Sequence, residues 1–166
     1  MGEIAAVAKR LGLDYIFITD HNNFAHNFLN PEVKGITVLP GTEWTHYKGH
    51  CGMLGVKRPF RSAFCVNCKK EAVGKLEEAK QSGAILVQNH PFCPFCGWRW
   101  GDYDEFPFDL LEIWNGGVVP RANEDCLVWW QGRLERGEKI PVVGGSDFHR
   151  PEPMRMVGNP STCVYA

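Results

Sequence analysis

The chain has 166 residues, and its 18 Lys+Arg stand against 19 Asp+Glu for a formal charge of -1, so it has neither the basic stripe that draws a protein onto nucleic acid nor an acidic tail. With 44% hydrophobic and 22% charged residues the composition is that of a globular chain, which excludes global disorder, and no apolar run nears the roughly 20 residues of a membrane helix. Residues 1–20 lack the basic, apolar and small-residue succession of a secretory signal, so a soluble, cytoplasmic chain is expected. Ile4, Val7, Ala8 and Leu11 share one helical face over 3–11, and Gly12 is a natural stop. A short buried strand, 15–19, follows and runs into Asp20-His21-Asn22-Asn23. Two more strands are predicted at 36–43 and 51–56.

The phrase helix, glycine, strand then recurs twice. A helix near 70–82 leads through Gly83 to a strand at 84–87 and Gln88-Asn89-His90. A second, 123–136, sets Leu127, Trp130 and Leu134 on one face and leads through Gly137 to a strand at 140–143, followed by Gly144-Gly145-Ser146-Asp147-Phe148-His149. Strands at 110–114 and 161–165 bring the total to about seven. Three such units predict a parallel α/β sheet in a single domain spanning 1–166. The longest irregular connection, 91–108, is rich in Pro, Phe, Cys and Trp, and is expected to be functional or braced by metal.

Parallel α/β folds gather their chemistry where strands end at the carboxyl side. Here those ends carry Asp20 with His21, Glu43 and then His50, His90, and Asp147 with His149. Neutral imidazoles and carboxylates suit Zn, Mn or Fe, and one carboxylate can bridge two ions. Singly, Asp20 or Asp147 would serve equally well as a helix cap, and His90 before Pro91 as an ordinary loop histidine. Capping has no use for four histidines, so a shared metal site is the expected reading. His26 and His46 are expected to be non-ligands.

Seven cysteines, an odd number in a chain too large to need stapling, point to a reducing compartment. Four fall into C-x-x-C pairs, Cys65 with Cys68 and Cys93 with Cys96, enough thiolates for a closed zinc site that would clip the loop after His90 to the chain before the second helix. Four buried small residues without metal, or an iron–sulfur site, are the alternatives. Cys51, Cys126 and Cys163 read as buried small hydrophobes. Trp98 and Trp100 are expected to meet a substrate, with Arg99 between them pairing a phosphate and Asn115 lining the same pocket, while Trp130 reads as core.

T-D-H at 19–21, G-T-E-W-T at 41–45, G-H at 49–50, N-H-P at 89–91 and G-S-D-x-H at 145–149 resemble, in order and spacing, the PHP (polymerase and histidinol phosphatase) superfamily of metal-dependent hydrolases. E-W-T-x-x-x-G-H together with E-I-W-N-G at 112–116 looks like its carbaryl-hydrolase-like subgroup, and the resemblance extends over 3–166. It implies a distorted (β/α)7 barrel with up to three ions at the strand ends. Glu43 would bridge two ions, His50 and His90 would hold one of them, and Asp147 would serve the other. His21 and His149 would belong to a third, with Asp20 an added or supporting ligand. The implied reaction is hydrolysis of a phosphomonoester, phosphodiester or carbamate ester by a metal-activated hydroxide, with Glu43, His50, His90 and Asp147 as the catalytic group.

The superfamily pattern opens on an H-x-H strand, and this sequence shows none before its first helix. The barrel is therefore expected to be incomplete at the N-terminal strand and at the C-terminal helix, open at one seam and inclined to self-association. The ion at Glu43, His50 and His90 would keep three ligands, whereas the first would keep Glu43 and Asp147 and the third His21 and His149. A catalytically impaired metal-binding or interaction module is the alternative to a hydrolase of a small ester or phosphoester. The charge balance weighs against a nucleic-acid partner, and none is expected from a membrane.

Overall fold

The computed structural model describes residues 2–28, 33–56, 65–151 and 155–165. In chain order these form α1 (Gly2–Arg10), β1 (Tyr15–Ile18), β2 (Thr37–His46), β3 (Gly49–Leu54), α2 (Lys69–Gln81), β4 (Ile85–Asn89), β5 (Leu110–Asn115), α3 (Pro120–Glu135) and β6 (Val142–Gly145). The strands make one curled sheet in the order β1-β2-β3-β4-β5-β6, a half-barrel carrying three helices. Gly12, Gly83 and Gly137 follow the helices as expected. α3 begins three residues before its expected start because Pro120 fits the first helical position, where no amide hydrogen is needed. In α1 the buried residues are Ala5 and Ala8, while Leu11, just past its end, is exposed; the helix packs on the short edge strand β1.

β1–β2, β4–β5 and β5–β6 pair in parallel. The expectation of a parallel sheet fails at β3, which runs antiparallel to both β2 and β4. β2 continues through Glu43 to His46 and turns back over Tyr47-Lys48, far too short a link for a parallel crossover. Gly49 makes that turn at φ +134°, and a Cβ there would lie 2.6 Å from the Trp98 ring. The consequence for the site is direct: Thr45 and His50 become cross-strand partners, and His50 is brought beside Glu43.

The strand expected at 161–165 does not form. Its place beside β6 is held by a side chain: Thr162 Oγ1 accepts the Gly144 N–H at 2.9 Å and donates to the Gly144 carbonyl at 3.0 Å. A side chain that satisfies both backbone groups leaves no ladder to extend.

The core is built on Trp44, Met53, Leu76, Leu86 and Leu111. Residues 98–108 fold into it, with Trp98 edge-on to Phe106 and Phe108 at 4.9 Å and Trp100 stacked on Trp44. This long connection is held by aromatic packing, and within it Cys93 and Cys96 are joined as a disulfide. Among the described residues, no helix is long and apolar enough to cross a membrane.

Candidate metal centre

Glu43 sits on β2 with its side chain only 7% exposed, surrounded by imidazoles from three other segments. His50 Nδ1, from β3, is 3.0 Å from Oε1; His90 Nε2, after β4, is 3.4 Å from the same oxygen; and His21 Nδ1, after β1, is 3.3 Å from Oε2. Asn89 adds an amide N–H to Oε1 at 2.9 Å. Burial pushes the Glu43 pKa up, but the hydrogen bonds from His50, His90 and Asn89 outweigh it and hold the carboxyl well below the usual range. For His90 burial works downward, and its bond to Glu43 with the charges of Glu112, Glu43 and Asp147 brings the net shift upward. One ionised carboxylate shared by three imidazoles is the centre of the site.

A second pair opens outward from it. Thr45 Oγ1 can donate to the Glu43 carbonyl at 3.2 Å, and with the hydroxyl so turned the Nδ1 of His21 is the end of the ring that carries the proton. His149 Nδ1 lies 2.8 Å from the Asp147 carbonyl, which can only accept, so its proton is likewise on Nδ1. The two Nε2 atoms, 3.3 Å apart, then present lone pairs to each other. Such a pair is a donor set aimed at a cation, and with the Glu43 cluster it fits a site for divalent metal. Among the described residues, His21, Glu43 and His50 form one group whose donor atoms lie within 4.8 Å of one another.

The turns that carry these residues are strained where they carry them. Asn22, His90 and Asp147 adopt φ of +48°, +27° and +48°, a region that ordinary side chains avoid and that persists only where neighbours enforce it. Asn22 is tied to the end of β2 by its bonds with the Thr45 backbone, and the His90 N–H is taken by Glu112 Oε2 at 2.7 Å.

Glu112 is buried on β5, where its Oε2 also accepts from the Asn115 amide at 3.0 Å. Burial pushes its pKa up to about 7 against the pull of His90 and Asn115. Asn22, Thr45, Asn89 and Glu112 all support the candidate donors, and none of them was expected at the site. The signal was present: each stands inside or directly beside a quoted motif, as an amide, hydroxyl or carboxyl next to a ligand.

The remaining expectations divide. Asp20 turns to His26, 3.1 Å away, while its carbonyl accepts from Thr42 and the Glu43 amide. His26 is buried, with Nε2 at 2.9 Å from the carbonyls of both Ile18 and Gly41, and therefore serves the backbone. His46 packs between Trp44, Tyr47 and Trp100. Asn115 is buried at the end of β5, its Oδ1 taken by the Gly117 amide. Arg99 is exposed, with its guanidinium on the Pro94 carbonyl, and its flanking Trp98 and Trp100 belong to the core, not to a substrate groove.

The four cysteines of the expected zinc clip are not gathered in one group among the described residues. Cys93 and Cys96 are joined to each other and lie beside His90, while Cys65 and Cys68 are free and exposed. Cys51 and Cys126 are buried as expected, and burial drives both thiols far up, Cys126 to about 12. Cys163 is exposed, contrary to expectation.

The sequence matches no protein-family model and no curated protein. Among solved structures, the fold is similar to that of a "putative metal-dependent phosphoesterase" from Bifidobacterium adolescentis, with a TM-score of 0.60, 97% of this chain and 86% of that chain covered, and 16% sequence identity. At this identity the likeness is one of fold.

Proposed function

We propose that this chain is a metal-dependent hydrolase domain of PHP type, in the carbaryl-hydrolase-like subgroup, acting on a phosphomonoester or phosphodiester. The observation that carries the reading is the buried Glu43 carboxylate shared by His21, His50 and His90, with His149 closing on His21. The half-barrel fold shared with a protein named for metal-dependent phosphoester chemistry supports it. Glu43, His50 and His90 would hold one divalent ion of the Zn, Mn or Fe class, Glu43 with Asp147 a second, and His21 with His149 a third. Such ions, when bound, lower the pKa of water to about 7 and offset charge on a phosphoryl oxygen.

The protein's own contribution is placement. Glu43 stays ionised throughout the physiological range, because the imidazoles and Asn89 stabilise its charge. Glu112 fixes the His90 backbone through its N–H, at the turn from which the ring reaches Glu43. Arg99, on the loop after His90, is assigned to the anionic group of the substrate, and Asn115 to the wall beside Asp147.

The test is elemental analysis of the purified protein combined with hydrolysis of p-nitrophenyl phosphate and bis-p-nitrophenyl phosphate. Glu43→Gln keeps the shape and removes the bridging charge. It is expected to lose bound metal and to lower kcat/KM at least about 100-fold, given that even a supporting partner of a ligand is worth about 10–100-fold. Metal bound at the cluster without turnover of either ester would make the chain a metal-binding module and not an enzyme.

A further inference from the structure

On the far side of His90 from Glu43 lies a second set of donors, and both are sulfur. The chain after β4 turns back at once: the His90 carbonyl accepts from the Cys93 amide, the Cys93 carbonyl from the Gly97 amide and the Pro91 carbonyl from the Trp98 amide, each at 2.9 Å. A Cβ at Gly97 would sit 2.5 Å from both the Cys93 and Pro91 oxygens, so this turn closes only on glycine. Its closure joins Cys93 to Cys96 and sets Cys96 Sγ 3.6 Å from His90 Nδ1. The opposite ring nitrogen, Nε2, faces Glu43. One imidazole therefore stands between two clusters.

The donor atoms of His90, Cys93 and Cys96 all lie within 4.8 Å of one another. That is a span one tetrahedral ion can gather with small movements, since Zn–S bonds are about 2.3 Å and Zn–N bonds about 2.0 Å. Two sulfurs bonded to each other do not ligate, so the set is available only when the bond between them is broken.

We propose that His90, Cys93 and Cys96 form a thiol-gated site for a soft divalent ion of the zinc class, open when the cysteine pair is reduced and closed when it is a disulfide. Reduction proceeds by exchange with an external dithiol. One thiolate of the reductant attacks Cys96 Sγ, the less buried of the pair, and the S–S bond breaks with Cys93 leaving as a thiolate. The Cys96 amide, 3.2 Å from Cys93 Sγ, donates to the sulfur that leaves. The reductant's second thiol then attacks the mixed disulfide and releases Cys96, and the reductant departs as its own disulfide, having passed two electrons to the pair. Binding of the ion displaces the thiol protons. Access is from the loop tip, where Phe95 is 85% exposed. In the reduced, loaded state His90 is engaged through Nδ1, which couples thiol redox state to the Glu43 cluster. The inference takes His90's place in that cluster from the reading above, but does not depend on hydrolysis.

Cobalt(II) is the probe, because a thiolate ligand gives it a charge-transfer absorption that carboxylates and imidazoles do not. The experiment uses a Cys65→Ser, Cys68→Ser, Cys163→Ser background, which removes the exposed thiols outside the pair. After reduction with a phosphine, without air, cobalt is expected to develop the thiolate band. Oxidation with oxidised glutathione should abolish it and renewed reduction should restore it, a cycle that needs no change at the site. Cys96→Ser should lose at least half of the band, and His90→Gln should weaken cobalt binding at the sulfurs at least about 10-fold. A reduced protein without the band, or a band unmoved by oxidation or by Cys96→Ser, overturns the proposal. Glu43→Gln should keep the band while losing hydrolysis, so a failed hydrolase reading and a failed thiol site give different results.

Discussion

Glu112 carries its shift for a reason that needs no ligand: a carboxyl buried against β6 and beneath His90 is desolvated, and its pKa rises from 4.5 to about 7. The sign of the linkage follows. A proton held more tightly by the folded than by the unfolded chain adds stability that is fully present below about pH 4.5. That contribution is lost as pH climbs to about 7, and amounts to about 3 kcal/mol at most. Glu112→Gln imitates the protonated carboxyl and keeps an acceptor for the His90 amide. In metal-free protein, urea unfolding of this variant should lack the decline between about pH 5 and 7 and should exceed the wild type in stability above it. Curves that run parallel across this range would refute the assignment. Glu112→Ala, by contrast, leaves the His90 amide and the Asn115 amide without their shared acceptor, and should destabilise by about 1–3 kcal/mol below about pH 4.5, a cost that shrinks towards pH 7 as the wild type loses its own proton-linked stability.

The element that places His50 is the β2–β3 hairpin, and its weakest tolerance is at Gly49. Alanine there would combine a left-handed φ of +134° with a Cβ 2.9 Å from the Trp98 Cα, a contact that backbone must move to relieve. A loss of about 1–3 kcal/mol is expected, and with it a fall of roughly 2–4 °C in Tm for each kcal/mol. Because His50 is the next residue, metal affinity measured by titration should fall too; a lower Tm with unchanged affinity would show that the hairpin does not position the ligand. This element also marks the limit of what was legible in the sequence. The candidate donors could be read because Asp20, His21, Glu43, His90, Asp147 and His149 interrupt or end short apolar runs. The reversal at 46–49 could not, because polar Glu43, Thr45 and His46 look like a strand's end when they are in fact its continuation, Glu43 and Thr45 turned to the site and His46 to the aromatic core. Cys93-x-x-Cys96 reads as half a zinc clip because a C-x-x-C spacing alone does not show whether its two thiols join each other or a distant pair. Trp98 and Trp100 read as a groove because an irregular segment gives no period from which to see that they turn inward.

At the scale of the whole molecule, the question is what joins the two edges of the half-barrel, β1 and β6. Backbone pairing does not do so among the described residues; the segment after β6 does it with side chains. Thr162 clamps both backbone groups of Gly144, and the Tyr15 hydroxyl, from β1, donates to the Thr162 carbonyl at 3.3 Å. The chain of contacts thus runs from one edge strand to the other through a single residue. Since β6 leads directly into Asp147 and His149, and β1 into His21, this clamp also holds the two halves of the outer donor pair in register. Thr162→Val preserves the branched shape but removes both the acceptor and the donor that face Gly144. The expected cost is about 1–3 kcal/mol, for two backbone groups left without a partner. Hydrogen exchange gives the sharper reading: the Gly144 amide should exchange faster in the variant, and metal retained by His21 and His149 should be lost before that held at Glu43, His50 and His90. If Gly144 remains as protected as in the wild type, the edge is closed by something other than Thr162. If both metal positions weaken together, the sheet moves as one body and the seam does not govern the outer pair separately.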